Sequence, residues 1–268
     1  YVAVISALFF AAISGSGTAT VAAMGSILIP AMIKQGYDKG FSSALSAISG
    51  SLGTVIPPSI TFIIYGMITG ESISDLFLSG IVPGIIFAAM LCLTVFIYSK
   101  KNGWKGDKPK ASRKEIMKIF WGTLPGFLSP VIVLGGIYSG FFTPTEAAAV
   151  AVIYSFIVGK FVYKELNFEA LRETLFSTAK TTGIILLIIM NAGIFSWILT
   201  QQGIATQLTE LAIGFTTNKY IMLLIINIVF LMAGCVMDNT SALYIIVPII
   251  LPIAKALDIN LVHLGVIL

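Results

Sequence analysis

At residues 14–18 the sequence reads Ser-Gly-Ser-Gly-Thr, a polar stretch at the centre of an uncharged apolar run over residues 1–33. A membrane-crossing helix needs about 20 apolar residues, and each arm beside such a break is shorter than that. Lipid offers no partner to the backbone groups that a break frees, so a break survives only where protein or a water-filled cavity covers it. Run 1–33 is therefore predicted to form a re-entrant helical hairpin with its polar tip near mid-membrane.

A second run has the same form. Residues 219–256 are apolar apart from a polar stretch over residues 234–241, Gly-Cys-Val-Met-Asp-Asn-Thr-Ser. Pro30 follows Thr18 by 12 residues, and Pro252 follows Thr240 by 12. The pattern predicts a second re-entrant hairpin, and the equal spacing indicates an internal repeat. Inverted repeats with broken helices at the midplane are typical of secondary transporters.

The composition excludes most soluble classes. Sixteen Lys and Arg oppose twelve Asp and Glu, and only 10% of residues are charged while 57% are hydrophobic. A soluble domain has about 25% charged residues. Cys92 and Cys235 lie in apolar runs and predict neither a disulfide framework nor a metal site. Eight of the sixteen positive residues lie between Lys100 and Lys118, which marks one loop and not a nucleic-acid surface. The class is integral membrane protein.

The remaining runs predict further spans. Run 40–70 is interrupted by a Pro-Pro break over residues 53–59 and is predicted to be one discontinuous span, because proline removes a helical hydrogen bond. The plain spans are expected at 76–99, 119–140 and 181–200, with a shorter fourth at 146–163. The predicted fold class is an all-α polytopic membrane protein with inverted repeats, two re-entrant hairpins and discontinuous helices.

The positive-inside rule orients these spans. Loop 100–118 carries eight Lys and Arg against two acidic residues, so it is expected on the cytoplasmic side. When the spans are counted in both directions from this loop, the basic stretches 34–39 and 160–180 are also cytoplasmic. The first hairpin then opens to the cytoplasm. Residues 203–215 become an amphipathic stretch on the outer surface, and the second hairpin opens outward. The two hairpins are thus predicted to be inverted.

The chain divides into four predicted parts. Residues 1–99 form the first inverted repeat, with hairpin 1–33, broken helix 40–70 and span 76–99. Residues 100–118 form the cytoplasmic basic loop, 119–180 form scaffold spans and a cytoplasmic arm, and 181–268 form a truncated second repeat. Both ends lie inside apolar segments, so we expect a fragment of a larger protein.

The broken regions have the chemistry of a cation site. Carbonyls at helix ends and side-chain oxygens suit a hard cation such as Na⁺. Asp238 is the most informative residue, because a charge at mid-membrane costs about 2.5–3.5 kcal/mol. It is expected to be a cation ligand, a helix cap, or both. One Na⁺ site is predicted per half, formed by Ser14, Ser16, Gly17, Gly53, Thr54 and Pro57 in the first and by Gly234, Asp238, Asn239 and Thr240 in the second.

The N–H groups at helix starts suit a substrate carboxylate. Helix capping alone is the alternative role for the hydroxyls of the first tip. No catalytic residue is expected, because a membrane-embedded enzyme needs a nucleophile–base pair or a metal cluster and the sequence offers neither. The predicted substrate contacts are Ser14, Ser16, Thr18, Ser51, Thr54, Ser59, Thr240 and Ser241.

Four motifs make the chain resemble the large membrane subunit of the tripartite ATP-independent periplasmic (TRAP) transporters. The likeness runs over essentially the whole chain and is most specific at residues 142–149 and at the Pro-Pro break. The motifs are Ser-Gly-Ser-Gly-Thr-Ala-Thr-Val-Ala-Ala-Met-Gly from Ser14, Gly-Thr-Val-Ile-Pro-Pro-Ser from Gly53, Phe-Thr-Pro-Thr-Glu-Ala-Ala-Ala from Phe142 and Met-Asp-Asn-Thr-Ser-Ala from Met237.

The resemblance implies a Na⁺-driven importer of organic acids, such as C4-dicarboxylates or sialic acid, in a bacterial inner membrane. It implies about two Na⁺ ions, an ion-transporter-superfamily fold and an elevator mechanism. Its implied partners are a small membrane subunit, a periplasmic substrate-binding protein and the lipid bilayer, with no nucleic acid. The alternative is a related Na⁺/dicarboxylate symporter that needs no binding protein. That class relies on Ser-Asn-Thr at both tips, whereas the first tip here has Ser-Gly-Thr.

Overall fold

The computed structural model describes residues 1–104 and 112–268, without the side chain of Thr200. Residues 105–111 of the predicted basic loop 100–118 therefore lie outside the described residues. No β-strand occurs in the part of the chain that is described. The α-helices, numbered in chain order, are α1 (Val2–Ser14), α2 (Gly17–Lys34), α3 (Lys39–Gly50), α4 (Leu52–Val55), α5 (Ile60–Thr69), α6 (Ile73–Asn102), α7 (Arg113–Tyr138), α8 (Pro144–Ile157), α9 (Phe168–Gln201), α10 (Ile204–Phe215), α11 (Lys219–Gly234), α12 (Asn239–Ala256) and α13 (Leu261–Ile267).

Six of the described helical segments are long and apolar enough to cross a membrane, or seven if the broken pair that ends in α5 counts as one span. Helices α6 and α9 contain the spans predicted at 76–99 and 181–200, and α7 covers 119–138 of the span predicted at 119–140. Helix α8 continues through a π-helical turn, Val158–Val162, to form the fourth. Large apolar side chains such as Ile97, Val131 and Leu187 remain exposed on these helices, which is the surface that lipid requires. The prediction of an all-helical, multi-pass membrane protein is confirmed.

The basic stretch 160–180, predicted outside the membrane spans, is largely helical. Helix α9 begins at Phe168, so residues 168–180 are the first turns of one 34-residue helix. The side chain of Asn167 accepts a hydrogen bond from the Ala170 N–H group, which satisfies one of the unpaired donors at the helix start. Charged residues such as Glu169 and Arg172 are good helix formers. They limit the apolar run at this point, but helix α9 continues through them.

The described chain forms two compact units. The first comprises Tyr1–Ile60 and Gly80–Glu165, and the second comprises Thr61–Ser79 and Leu166–Leu268. The four-part division of the chain, with its inverted repeats, stays a prediction. A core in the first unit is formed by Val4, Ala7, Ala11, Leu45, Leu52, Ile56, Leu91 and Val95. A core in the second is formed by Met222, Ile226, Ile250, Ile253, Ala254, Ile259 and Leu264.

A helix–turn–helix pattern occurs twice at a constant offset. Helices α2 and α12 both have 18 residues, and their N-caps are Ser16 and Asp238, which are 238 − 16 = 222 residues apart. The helices that follow them, α3 and α13, have Asp38 and Asn260 as N-caps, and 260 − 38 is again 222. The equal spacing noted for Pro30 and Pro252 is one consequence of this register.

The turns between these helices also match. Gly36 has φ of 83°, and Asp258, 222 residues later, has φ of 50°. The N–H group of Tyr37 donates to the Met32 carbonyl at 3.1 Å, and that of Ile259 donates to the Ala254 carbonyl at 2.9 Å. Two sequences of low identity therefore adopt the same local backbone. Their opposite orientation in the membrane stays a prediction.

The two hairpins have arms of unequal length. Helices α1 and α11 have 13 and 16 residues, as expected for arms too short to span. Helices α2 and α12 have 18 residues and are long enough to cross a membrane by themselves. One arm of each hairpin is thus longer than the sequence indicated, and the re-entrant arrangement stays a prediction.

Tyr65 joins α5 to α13 inside the second unit. Its side chain is only 1% exposed, and its hydroxyl donates to the Leu261 carbonyl at 2.6 Å. We expect Tyr65→Phe to lower the free energy of unfolding by about 1 kcal/mol, the net value of one hydrogen bond. Thermal unfolding in detergent measures this. Tyr220→Phe is the control, because Tyr220 is 72% exposed. Equal melting temperatures for the parent and Tyr65→Phe would contradict the expectation.

Candidate functional site

The tip between α1 and α2 lies directly against the Pro-Pro break, within the first unit. Gly15 has φ of 63°, and its carbonyl accepts a hydrogen bond from the Ile60 N–H group at 3.0 Å. A Cβ atom on Gly15 would lie 2.5 Å from the Pro58 carbonyl oxygen, and one on Gly53 would lie 2.6 Å from that of Ser16. The structure therefore brings together the two groups of residues that were predicted to form the first-half site.

The Pro-Pro break contains fewer non-helical residues than predicted. Gly53 and Thr54 belong to helix α4, so within the predicted break 53–59 only residues 56–59 lie outside helices. The Thr54 hydroxyl donates to the Ser51 carbonyl at 2.8 Å, and the Ser59 hydroxyl donates to the Thr54 carbonyl at 2.6 Å. Ser59 is 0% exposed, so a substrate could reach it only if the break opened. Ser59 closes the break in this structure through this hydrogen bond, and its substrate contact stays a prediction.

The N-terminus of α2 has two N–H groups for a ligand. The first four N–H groups of a helix lack partners within that helix. The Ser16 hydroxyl accepts from the Ala19 N–H group at 3.4 Å, and the Ser16 carbonyl accepts from that of Thr20 at 3.0 Å. The N–H groups of Gly17 and Thr18 have no acceptor among the residues described here. The first turn contains no acidic residue, so this helix start suits an anion such as a carboxylate.

Asp238 caps helix α12 in the second unit. Its Oδ2 atom accepts from the N–H groups of Thr240 at 3.0 Å and Ser241 at 3.3 Å. Its Oδ1 atom accepts from the Ser241 hydroxyl at 2.6 Å. The capping role considered for Asp238 is confirmed. The Oδ1 atom accepts one hydrogen bond and has a further lone pair, so capping leaves room for the cation role, which stays a prediction.

The two tips differ in charge at equivalent positions. Ser16 and Asp238 are the N-caps related by the 222-residue offset, and one is a neutral hydroxyl while the other is a carboxylate. The Asp238 carboxylate offsets the positive end of the α12 dipole and repels other anions. In the described parts of the chain, no Lys or Arg pairs with it. The second tip therefore suits a cation, and the first suits an anion better than the second does.

Both tips also offer oxygen ligands of the kind that Na⁺ prefers. Helix α1 ends at Ser14 and α11 ends at Gly234, and the last carbonyls of a helix lack partners within it. The hydroxyls of Ser16 and Thr18 lie 3.2 Å apart. Among the residues described, no three of His, Cys, Asp and Glu come together as a metal cluster. The donor set is thus carbonyl, hydroxyl and one carboxylate, which fits a hard monovalent cation.

Two cavities adjoin α12 inside the second unit. A cavity of about 380 Å³ is lined by Asn227 together with the predicted ligands Gly234 and Asn239. A mostly apolar cavity of about 520 Å³ is lined by Ser241 and Tyr244, among others. Asn227 and Tyr244 were not predicted as site residues. Asn227 could have been identified from the sequence because it is a polar residue within an otherwise apolar helix.

Comparison with known proteins gives one family. The whole chain, residues 1–268, matches the family described as tripartite ATP-independent periplasmic transporter, DctM component. The isethionate TRAP transporter permease protein of Oleidesulfovibrio alaskensis is 43% identical over 97% of this chain and 41% of its own length. The C4-dicarboxylate TRAP transporter large permease protein of Pseudomonas aeruginosa is 40% identical over 99% of this chain and 62% of its own length.

A third relative has a different substrate in its name. The sialic acid TRAP transporter large permease protein of Vibrio cholerae is 35% identical over 99% of this chain and 62% of its own length. The chain thus spans between about two fifths and three fifths of the length of these curated relatives. The family match covers residues 1–268, a range that contains both tips and the Pro-Pro break.

Proposed function

This chain belongs to the family of tripartite ATP-independent periplasmic transporters, DctM component, and on that premise we propose that it forms part of a permease that imports an organic anion together with Na⁺. The match of residues 1–268 to this family is the observation that carries the proposal. Relatives are permeases for isethionate, C4-dicarboxylates and sialic acid. All three ligands are organic anions, so we propose an organic acid as the substrate class, with C4-dicarboxylates and sialic acid as the first compounds to test.

The charge difference between the tips supports a division of roles. The free N–H groups of Gly17 and Thr18 would receive the acidic group of the substrate, because a helix start attracts an anion. Asp238 would bind Na⁺ with the Gly234 carbonyl and the Asn239 side chain, because a hard cation prefers oxygen ligands that include a charge. A second Na⁺ would bind at the first tip through Ser14, Ser16 and Gly17. Import would then draw on the Na⁺ gradient.

The break in the first unit supports the proposal that part of this unit moves during transport. Breaks in membrane helices line the sites of secondary transporters, and alternating access in these proteins is rigid-body movement of one part against another. Gly15 and Gly53 fix the first tip against the broken helix through backbone contacts. We propose that the two move as one body, carrying substrate and ions across the membrane in an elevator mechanism.

The proposed assembly is tripartite. The relatives from Pseudomonas aeruginosa and Vibrio cholerae are large permease proteins of TRAP transporters. We propose that this protein works with a small membrane subunit and with a periplasmic binding protein that delivers the substrate. The site of action would be a bacterial inner membrane.

Uptake into proteoliposomes tests the proposal. The full-length protein with its small subunit would be reconstituted, and labelled succinate, sialic acid and isethionate would be offered with and without a Na⁺ gradient and the cognate binding protein. We expect uptake of one compound that requires both Na⁺ and the binding protein. Na⁺-driven uptake without any binding protein would instead indicate the alternative, a Na⁺/dicarboxylate symporter of related fold.

A further inference from the structure

Four aromatic rings join two segments of the first unit that are distant in sequence. Tyr37 lies in the turn between α2 and α3, and Phe41 lies at the start of α3. Tyr98 lies near the end of α6, and Trp104 follows that helix by two residues. The ring of Phe41 stacks on that of Tyr98 with centroids 5.2 Å apart. The Trp104 ring lies 5.0 Å from that of Phe41 and 5.1 Å from that of Tyr37. These contacts hold the turn and the helix end side by side.

Each of the two joined segments carries a pair of lysines. Lys34 and Lys39 flank Tyr37, and Lys100 and Lys101 lie between Tyr98 and Trp104. All four side chains are exposed, and we call them the lysine patch. Asp38 is the acidic residue within these segments, and its Oδ1 atom accepts a hydrogen bond from the Phe41 N–H group at 2.8 Å. No acidic side chain of the described chain forms an ion pair with the patch.

An apolar, lipid-compatible surface ends directly at the patch. On α2, exposed Ile33 immediately precedes Lys34. On α6, Phe96 and Ile97, 48% and 53% exposed, precede the second lysine pair. Tryptophan and tyrosine favour the boundary between hydrocarbon and water, and Tyr98 and Trp104 lie at this level. The patch therefore has the layout of a phospholipid site, with apolar surface for acyl chains below and positive charge for a headgroup above.

We propose that the lysine patch binds the phosphate headgroup of an anionic phospholipid such as phosphatidylglycerol, with acyl chains along Ile33 and Ile97. Each lysine near an anionic surface strengthens lipid binding by about fivefold. The positive-inside rule alone places lysines in a loop without holding two pairs together. The aromatic contacts hold the two lysine-bearing segments side by side. The geometry therefore favours one bound headgroup over a diffuse attraction to the membrane.

Trp104 provides a built-in reporter for the test. The chain has three tryptophans, and the test protein is the full-length form with Trp121, Trp197 and any further tryptophan replaced by phenylalanine. It is placed in nanodiscs that contain brominated phosphatidylglycerol or, at equal mole fraction, brominated phosphatidylcholine. We expect stronger quenching of Trp104 by the anionic lipid, and a loss of this preference as NaCl rises from 0.1 M to 1 M, because salt screens exposed charges.

Paired variants separate a specific site from general basicity. Lys100→Gln/Lys101→Gln is expected to lower the preference for the anionic lipid about 25-fold, which is fivefold for each lysine. Lys160→Gln/Lys164→Gln removes the same charge from another basic stretch and should leave the preference unchanged. Equal quenching by both lipids in the parent, or an equal loss in both variants, overturns the proposal.

Competition by a soluble anion distinguishes binding of a lipid from binding of free phosphate. Millimolar inorganic phosphate or glycerophosphoglycerol should leave quenching by brominated phosphatidylglycerol unchanged, because neither provides acyl chains for the apolar surface. If either one displaces the lipid, the patch is a general anion site and the lipid proposal is wrong.

Discussion

Asp238→Asn is expected to raise the Na⁺ concentration for half-maximal uptake by about 100-fold or more, because the affinity of an oxygen site for a hard cation depends on ligand charge. Asparagine caps a helix as well as aspartate does, so the hydrogen bonds to Thr240 and Ser241 can persist. The substitution removes the charge and keeps the cap. The measurement is the Na⁺ dependence of uptake in proteoliposomes, with protein content determined in the same vesicles.

Two further variants separate the charge of Asp238 from its structural role. Asp238→Ala removes charge and cap together, so it should also lose about 1 kcal/mol of stability. Ser16→Ala removes the cap at the equivalent position of α2 without changing charge. Unaltered Na⁺ dependence in Asp238→Asn would remove Asp238 from the ion site and leave it as a helix cap alone.

Gly53→Ala is expected to stop most uptake and to destabilise the first unit by about 3 kcal/mol, the upper part of the range for overpacking. A Cβ atom at this position would lie 2.6 Å from the Ser16 carbonyl oxygen and 2.8 Å from Oγ1 of Thr20. The Ser16 atom is backbone at the start of α2, so a rotamer change cannot relieve the clash. The first tip would have to move away from the broken helix. Uptake and thermal unfolding of the same preparation check both effects.

Glycines in open surroundings serve as controls for Gly53. A Cβ atom on Gly122 in α7 or Gly183 in α9 would meet no atom within 4 Å. Alanine is the better helix former by about 1 kcal/mol, so Gly122→Ala and Gly183→Ala should be neutral or stabilising. If Gly53→Ala behaved like these two, the contact between the first tip and the break would have no part in transport.

Much of the fold could be predicted because it depends on local sequence. Apolar runs gave the long helices, and the polar breaks at residues 14–18 and 234–241 coincide with the turns between α1 and α2 and between α11 and α12. Asp238 was identified from the cost of a membrane-embedded charge, and its capping role followed from its place before an apolar run. Helix α9 was predicted too short, because charged residues end an apolar run but do not end a helix.

The extent of the break could not be predicted from composition alone. Proline and glycine marked residues 53–59 as non-helical, but glycine and threonine are permitted in a helix when neighbouring elements hold the backbone. Here Gly53 packs against the start of α2, and residues 52–55 form the short helix α4. The hydrogen bond that the Ser59 hydroxyl donates across the break to the Thr54 carbonyl could not be predicted either.

The sequence by itself determined the membrane class, the helical segments, the two polar tips and the repeat between them, because all of these follow from hydropathy and spacing along the chain. Only the tertiary structure decided that Gly15 lies against Pro58 and Gly53 against Ser16. It also decided that Trp104 meets Tyr37 and Phe41. The physical reason is that close packing between distant segments depends on how whole helices fit together, and the spacing of residues along one helix carries no information about its neighbour.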